Sequence, residues 1–259
     1  MSSNRRANSR GPPSGGPSLA AIALWGSSGG KRAHLLTNDE RTQLVVISSV
    51  VRFTKGTRIY RQGDPADAIF NITSGVVKSY KLLPDGTQHI VAFLFPDDLI
   101  GLAEERSCVN SADAVTDVMG YRIPVTALET RLRKDPILEF HVICKICHEL
   151  RESQRHAFLL SEHRAVAKVA LFLQLLENYQ AARGESVAEV YLPMNRSDIG
   201  DYVGVSLEAV SRSFRSLASR GIITFRDRRH VKIISHSQLE SIASESGMRE
   251  LRGRPTRSD

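Results

Sequence analysis

NRSDIGDYVGVSLEAVSRSFRSLASR, residues 195–220, holds two helix starts, a turn and a helix stop in one short span. Asn195 is suited to cap a first helix, with Asp198 three residues on placed to complete a capping box by reaching back to the cap amide. Ile199, Tyr202 and Val203 recur at helical spacing, and Gly204 supplies the backbone freedom a sharp turn needs. Ser206 then caps a second helix whose apolar side is Leu207, Val210, Phe214 and Leu217, and Gly221 ends it.

The opposite side of that second helix carries the chemistry. Glu208, Ser211, Arg212 and Arg215 are spaced i, i+3, i+4 and i+7, so they share one outward face. In a major groove a glutamate accepts from cytosine N4, an arginine forks onto guanine O6 and N7, and a serine hydroxyl serves either kind of edge. A helix presenting those groups from its N-terminal half, behind a bracing helix, is the recognition element of a helix-turn-helix. An ordinary amphipathic helix shares the capping signals but not this joint placement of turn glycine, core positions and base-reading groups.

In DIGDYVGVSLEAVSRSFRSL the chain resembles the DNA-binding helix pair of the Crp/Fnr superfamily, and Glu208, Ser211 and Arg212 resemble its Fnr/FixK branch. The resemblance implies base reading by those three residues. It extends to backbone contacts from Asn195, Arg196, Ser206 and Arg215.

Around this span, 259 residues and 41% hydrophobic content allow one large domain or two ordinary ones with proper cores. No run approaches the roughly eighteen apolar residues of a membrane span, and Leu19–Trp25 is too short and wrongly flanked for a signal peptide. Three cysteines (Cys108, Cys144, Cys147) make no disulfide framework, so a cytoplasmic protein is expected. Net charge is +7, with eight basic residues against four acidic ones in 196–232, a bias that fits phosphate contacts.

In chain order, residues 1–33 are Ser-, Gly-, Pro- and Arg-rich and read as a disordered basic tail. A helix over Asp39–Ser49 leads into strands at Val51–Phe53, Arg58–Tyr60, Ala68–Thr73, Val76–Leu82, Gln88–Phe95 and Ala114–Ile123, punctuated by Gly-, Pro- and Asp-rich turns. This is an antiparallel barrel or jelly roll over 34–130. The run KGTRIYRQGDPADAIFNITSGVVKSYKLLPDGTQHIVAFLFPDDLIGL resembles the cyclic-nucleotide-binding-like β-roll of the same superfamily, with Asp97 where many members carry glycine.

Arg131–Ser161 follows as one long helix. Ile143, Ile146, Leu150, Ser153, Ala157 and Leu160 alternate by three and four, the seam of a parallel two-stranded coiled coil, so the protein is expected to be a homodimer. A C-terminal winged helix-turn-helix domain over 162–245 comprises a helix at Arg164–Gln180, Val190–Met194, the helix pair, and a wing hairpin of Ile222–Phe225 and His230–Ile234. Arg228 and Arg229 on the wing turn are placed to meet phosphates. Gln238–Ala243 is a last helical turn and 246–259 a flexible tail, giving an α+β protein overall.

The roll's effector is less legible. Gly101–Ser107 contains the Glu, Arg and Ser types of a cyclic-nucleotide pocket, but its acidic and basic residues are nearly adjacent, which favours surface charge. A four-thiolate iron–sulfur cluster is excluded within one chain by the cysteine count, with Tyr121 at the position of the fourth ligand in the Fnr-type pattern. Cys144 and Cys147 fall within the dimer helix and read as packing residues, a metal or disulfide bridging the dimer being the lesser reading. Haem stays open, since one or two of the eight scattered histidines would suffice. The simplest reading has no cofactor.

No paired carboxylates, nucleophile–base constellation or phosphate loop points to an enzyme; Gly26–Lys31 lacks the glycine offset and following Ser/Thr of a P-loop. The FixK resemblance implies an activator of low-oxygen or nitrogen-oxide genes that reads a TTGA-type promoter palindrome in double-stranded DNA, with RNA polymerase as partner. A ligand-gated regulator of the same superfamily is the alternative.

Overall fold

The computed structural model describes residues 38–103 and 106–252. The basic N-terminal segment, the Gly26–Lys31 stretch, Glu104 and Glu105, and the last seven residues lie outside them. After α1 (Asn38–Val46), the first half of the chain forms two four-stranded antiparallel sheets. One runs in the order β1 (Ser49–Phe53), β8 (Val118–Pro124), β3 (Ala68–Ser74), β6 (Leu99–Ile100); the other is β2 (Arg58–Tyr60), β7 (Ser111–Ala114), β4 (Val77–Leu82), β5 (Gln88–Leu94). Ile72, Ile100 and Val118 from the first sheet meet Val77, Ala112 and Ala114 from the second, so the two faces close over a shared apolar core. Ile69, Ile123 and Leu128, joined by Leu44 and Leu132, seal one end.

The expected strand at Ala114–Ile123 is instead the end of β7 and most of β8, which belong to different sheets. The chain crosses between them at Val115–Asp117, where the Val115 amide donates to the Val76 carbonyl and the Asp117 carboxylate accepts from the Lys55 amide. The short β6 was not foreseen, since two residues carry no periodicity.

The long helix is also divided. α2 (Val125–Leu132) stops, and α3 (Pro136–Ser161) starts afresh, rather than one helix running from Arg131. Proline at the first helical position has no amide to lose there, and the Asp135 carboxylate caps the Leu138 amide at 3.0 Å. Leu138, Lys145 and Leu159 form its buried side, with Lys145 Nζ 3.1 Å from Asp98 of the roll. On the other side Ile143 (50%), Leu150 (59%), Ile146, Ala157 and Leu160 are all exposed in the single chain. Ile137, Phe140 and Phe158 widen that apolar stripe beyond the six expected positions. Cys144 is half-buried and Cys147 exposed beside it, so Cys147 is not a packing residue within one protomer.

α4 (Ala165–Ala182), β9 (Val190–Tyr191), α5 (Arg196–Val203), α6 (Leu207–Ser219), β10 (Ile223–Phe225), β11 (His230–Ile233) and α7 (His236–Arg252) complete the fold, with β10, β11 and β9 in one antiparallel sheet. α4 is the hub, buried nearly all round and packed by α6 and α7. α7 runs well beyond the single turn expected at Gln238–Ala243; within that turn Leu239 and Ile242 are buried, and the Arg164 guanidinium donates to the Ile242 carbonyl at 2.8 Å. Among the described residues no helix is long and apolar enough to cross a membrane.

Candidate nucleic-acid interface

The helix pair forms as its caps dictate. The Asn195 side chain accepts the Asp198 amide at 2.7 Å, and the Ser206 hydroxyl accepts the Ala209 amide at 3.2 Å. Gly204 is left-handed (φ 69°), the conformation only glycine adopts without strain, and its amide donates to the Gly200 carbonyl at 2.8 Å. Gly200 is the position that sequence reasoning passed over. A Cβ there would lie 2.7 Å from the Val205 carbonyl oxygen, so the turn folds back on α5 only because that atom is missing.

Two expectations fail locally. Asp198 does not close a capping box; its carboxylate instead takes Lys78 Nζ of the roll at 2.7 Å, a charged donor stronger than a backbone amide. Leu207 is 45% exposed, because the first position of α6 projects past the core that Ile199, Tyr202, Val203, Val210, Phe214 and Leu217 make.

The polar face is open. Glu208, Arg212 and Arg215 are exposed and Ser211 is half-buried. The Glu208 carboxyl is held below its ordinary range, first by its own backbone amide, then by the Ser206 hydroxyl and the Arg212 charge, so it is an acceptor at neutral pH. The wing turn is braced from within. The Asp227 carboxylate accepts from the Arg229 amide (2.7 Å) and the His230 amide (3.0 Å), which pulls its pKa down to about 2. Arg226 is committed to Glu189 at 2.9 Å, whereas Arg228 and Arg229 are exposed and make no ion pair among the described residues.

Arg196, expected as a backbone contact, sits over Phe214 with its guanidinium carbon 3.4 Å from the ring centroid and 5.7 Å from that of Phe225. Burial lowers its pKa to about 10, and Nη1 has no hydrogen-bond partner. It is half-buried packing that joins α5, α6 and the wing, and Nη1 is enclosed with it. Asn195 and Ser206 spend their side-chain acceptors on caps; both residues are exposed.

A groove lined by Ala165, Val166, Ala209, Arg212, Ser213 and Ser216 runs between the start of α4 and α6. The N-cap of α4, Arg164, makes no side-chain capping hydrogen bond. No side-chain motif marks this feature in the sequence.

Inside the roll, Tyr60 stacks on Phe70 (centroids 6.1 Å, 24°) and Phe53 meets Phe70 edge-on at 6.2 Å. Burial pushes the Tyr60 phenol up, as expected of a ring enclosed in an apolar core. Tyr121 lies in β8, paired with Val50 and Asn71.

Two family models match the chain: a cyclic nucleotide-binding domain over residues 50–135 and a Crp-like helix-turn-helix domain over 167–242. The nitrogen fixation regulation protein FixK of Bradyrhizobium diazoefficiens is 32% identical over 195 residues, 75% of this chain and 81% of that protein. The transcriptional activator protein Anr of Pseudomonas aeruginosa is 31% identical over 191 residues, 73% and 78% of the two chains. The solved structure of FixK2 from Bradyrhizobium japonicum superposes with a TM-score of 0.71 at 31% identity, covering 76% of this chain and 97% of that one. A roll, a long helix and a winged helix pair in this order, shared at that identity with FixK and Anr, make the chain a member of the Crp/Fnr family of DNA-binding transcription regulators, on its FixK-like side and not an enzyme.

Proposed function

We propose that the protein is a homodimeric activator that reads a two-fold symmetric promoter site through α6. The observation that carries this is the open Glu208–Arg212–Arg215 face on a helix whose other side buries Val210, Phe214 and Leu217 in the domain core. Glu208, Ser211 and Arg212 read base edges; Arg215, Arg228, Arg229, Asn195 and Ser206 meet the phosphate backbone. The exposed apolar stripe of α3 is the dimer seam, since an unpartnered stripe of that length on one helix asks for a second copy.

Kinship with FixK and Anr supports a role in low-oxygen or nitrogen-oxide gene control, a TTGA-type half-site, a cytoplasmic location and RNA polymerase as the partner in activation. Tyr60 and Phe70 occupying the roll interior favour activity without an effector. One observation supports ligand gating instead: a cleft of about 300 Å³ between the roll (Gly75, Phe95, Pro96) and the C-terminal domain (Leu176, Arg183, Tyr191). Selecting bound sites from random DNA with untreated purified protein tests both. Enrichment of a TTGA palindrome without additive supports the effector-free reading; enrichment only after a cyclic nucleotide, haem or another small molecule is added supports the second.

A further inference from the structure

The first helix of the DNA-binding pair rests on the roll of its own chain. α5 packs on β5, and the contact is largely aromatic: Phe93 of β5 lies 5.2 Å from Tyr202 and 6.2 Å from Phe172 of α4. Such aromatic pairs favour offset or edge-on arrangements by only a modest margin beyond the area they bury. At their edge is one directional interaction. Lys78 of β4 reaches Asp198 at the third position of α5, Nζ to Oδ1 2.7 Å, with the two side chains only 18% and 10% exposed. Asp201, three residues further along the helix, has its carboxyl raised by burial and by neighbouring Asp198, so the Lys78 ammonium is set among carboxylates that need it.

A shielded ion pair of this kind adds little net stability over an apolar pair, but losing one partner strands the other's charge. Such a pair is suited to fixing an orientation. That orientation passes on without slack, because the Gly200–Gly204 turn locks α5 to α6. We infer that Lys78 and Asp198 are positioning residues for DNA recognition, which set the angle of α6 against the roll and long helix and so the half-site spacing that two copies can read. This rests on the homodimer reading above.

The test compares Lys78→Met, Asp198→Asn and the double variant with the parent. Each is titrated against its palindrome, a single half-site, and palindromes lengthened or shortened by a base pair. Each single variant is expected to lose about tenfold on the parental palindrome while holding half-site affinity within about twofold. The double variant, with no stranded charge, is expected to lose no more than either single, and to discriminate less between spacings. Circular dichroism at the assay temperature reports the folded fraction. Should a single variant be unfolded, the spacing preference of the double variant decides the matter.

Single variants that bind the palindrome like the parent overturn the inference. So does an equal loss on palindrome and half-site, the mark of a merely structural role. A double variant with the parental spacing preference overturns it too. A parent that binds half-site and palindrome alike removes the dimer reading, and this inference with it.

Discussion

The imidazole of His156, on α3, lies flat against the phenol of Tyr202, on α5, with ring centroids 4.0 Å apart and planes 10° from parallel. Its Nε2 is 2.7 Å from the Tyr202 carbonyl oxygen, so the neutral ring donates there and ties the long helix to the helix pair.

Burial, the largest cause, lowers the His156 pKa below 6.5, with Lys168 adding to the effect and the Tyr202 hydrogen bond opposing it. The unfolded chain therefore takes up this proton more readily than the folded one. Stability from this site is complete above about pH 6.5 and falls as pH drops through the lower, folded value. Thermal melts across pH 5–8 should show that fall, and His156→Gln, which keeps a donor but cannot titrate, should flatten it. An unchanged slope would assign the proton uptake elsewhere.

On the reading face, Arg212→Ala should cost roughly 1–3 kcal/mol per half-site and abolish preference for one guanine. Glu208→Ala should relax discrimination at the cytosine paired with that guanine or next to it, while non-specific binding holds or rises slightly. Half-sites should lie about 10 bp apart. Site selection with both variants checks this; parental base preference at every position would mean that α6 docks differently.

Ile146→Asp places a charge on the stripe that two copies of α3 are proposed to share, at a cost of several kcal/mol if it is buried without a partner. Sedimentation at micromolar concentration should show monomer, with palindrome binding lost. A dimer would move the seam to another part of the stripe.

The wing should add affinity without base preference. Arg228→Ala or Arg229→Ala should weaken binding to all sequences and lower the slope of log affinity against log salt by about one. Because the Asp227 carboxylate holds the turn, Asp227→Ala should produce a milder loss of the same kind. A changed base preference in any of the three would put the wing in a groove.

Arg196 should behave as packing. Arg196→Ala loses the stack on Phe214, worth about 0.5–2 kcal/mol, and lowers the melting temperature without DNA present. Lysine should not restore it, since an ammonium cannot lie flat on a ring. An unchanged melt combined with a steep loss of DNA affinity would return Arg196 to a purely phosphate-contacting role.

Much of this architecture is written locally, and those parts were legible. Caps at Asn195 and Ser206, the left-handed Gly204 and the stop at Gly221 act within four residues of themselves, so 195–220 could be read almost as it folds. The hairpin strands of the roll were legible for the same reason. The break before α3 was also local, in Asp135-Pro136, but the apolar rhythm running through it hid the signal. What could not be read is tertiary. Asp198 has the spacing of a capping residue and spends its charge on Lys78, 120 positions away, and Arg196 has the look of a phosphate contact and lies on a ring. The burial of Leu239 and Ile242 on α7 also depends on α4, which lies far away in sequence.

The Lys78–Asp198 pair also bears on how far this family's parts can be exchanged. Residues 162–245 look like a cassette, yet one carboxylate in them is matched by an ammonium in the roll. A chimera that joins this helix pair to a relative's roll with an apolar residue in place of Lys78 inherits a shielded, unmatched charge. It should fold less stably than either parent, by about 3–5 kcal/mol. Grafts that carry a lysine in that strand should escape this penalty, so the position of Lys78 in the roll is one that a transplanted DNA-binding half must match.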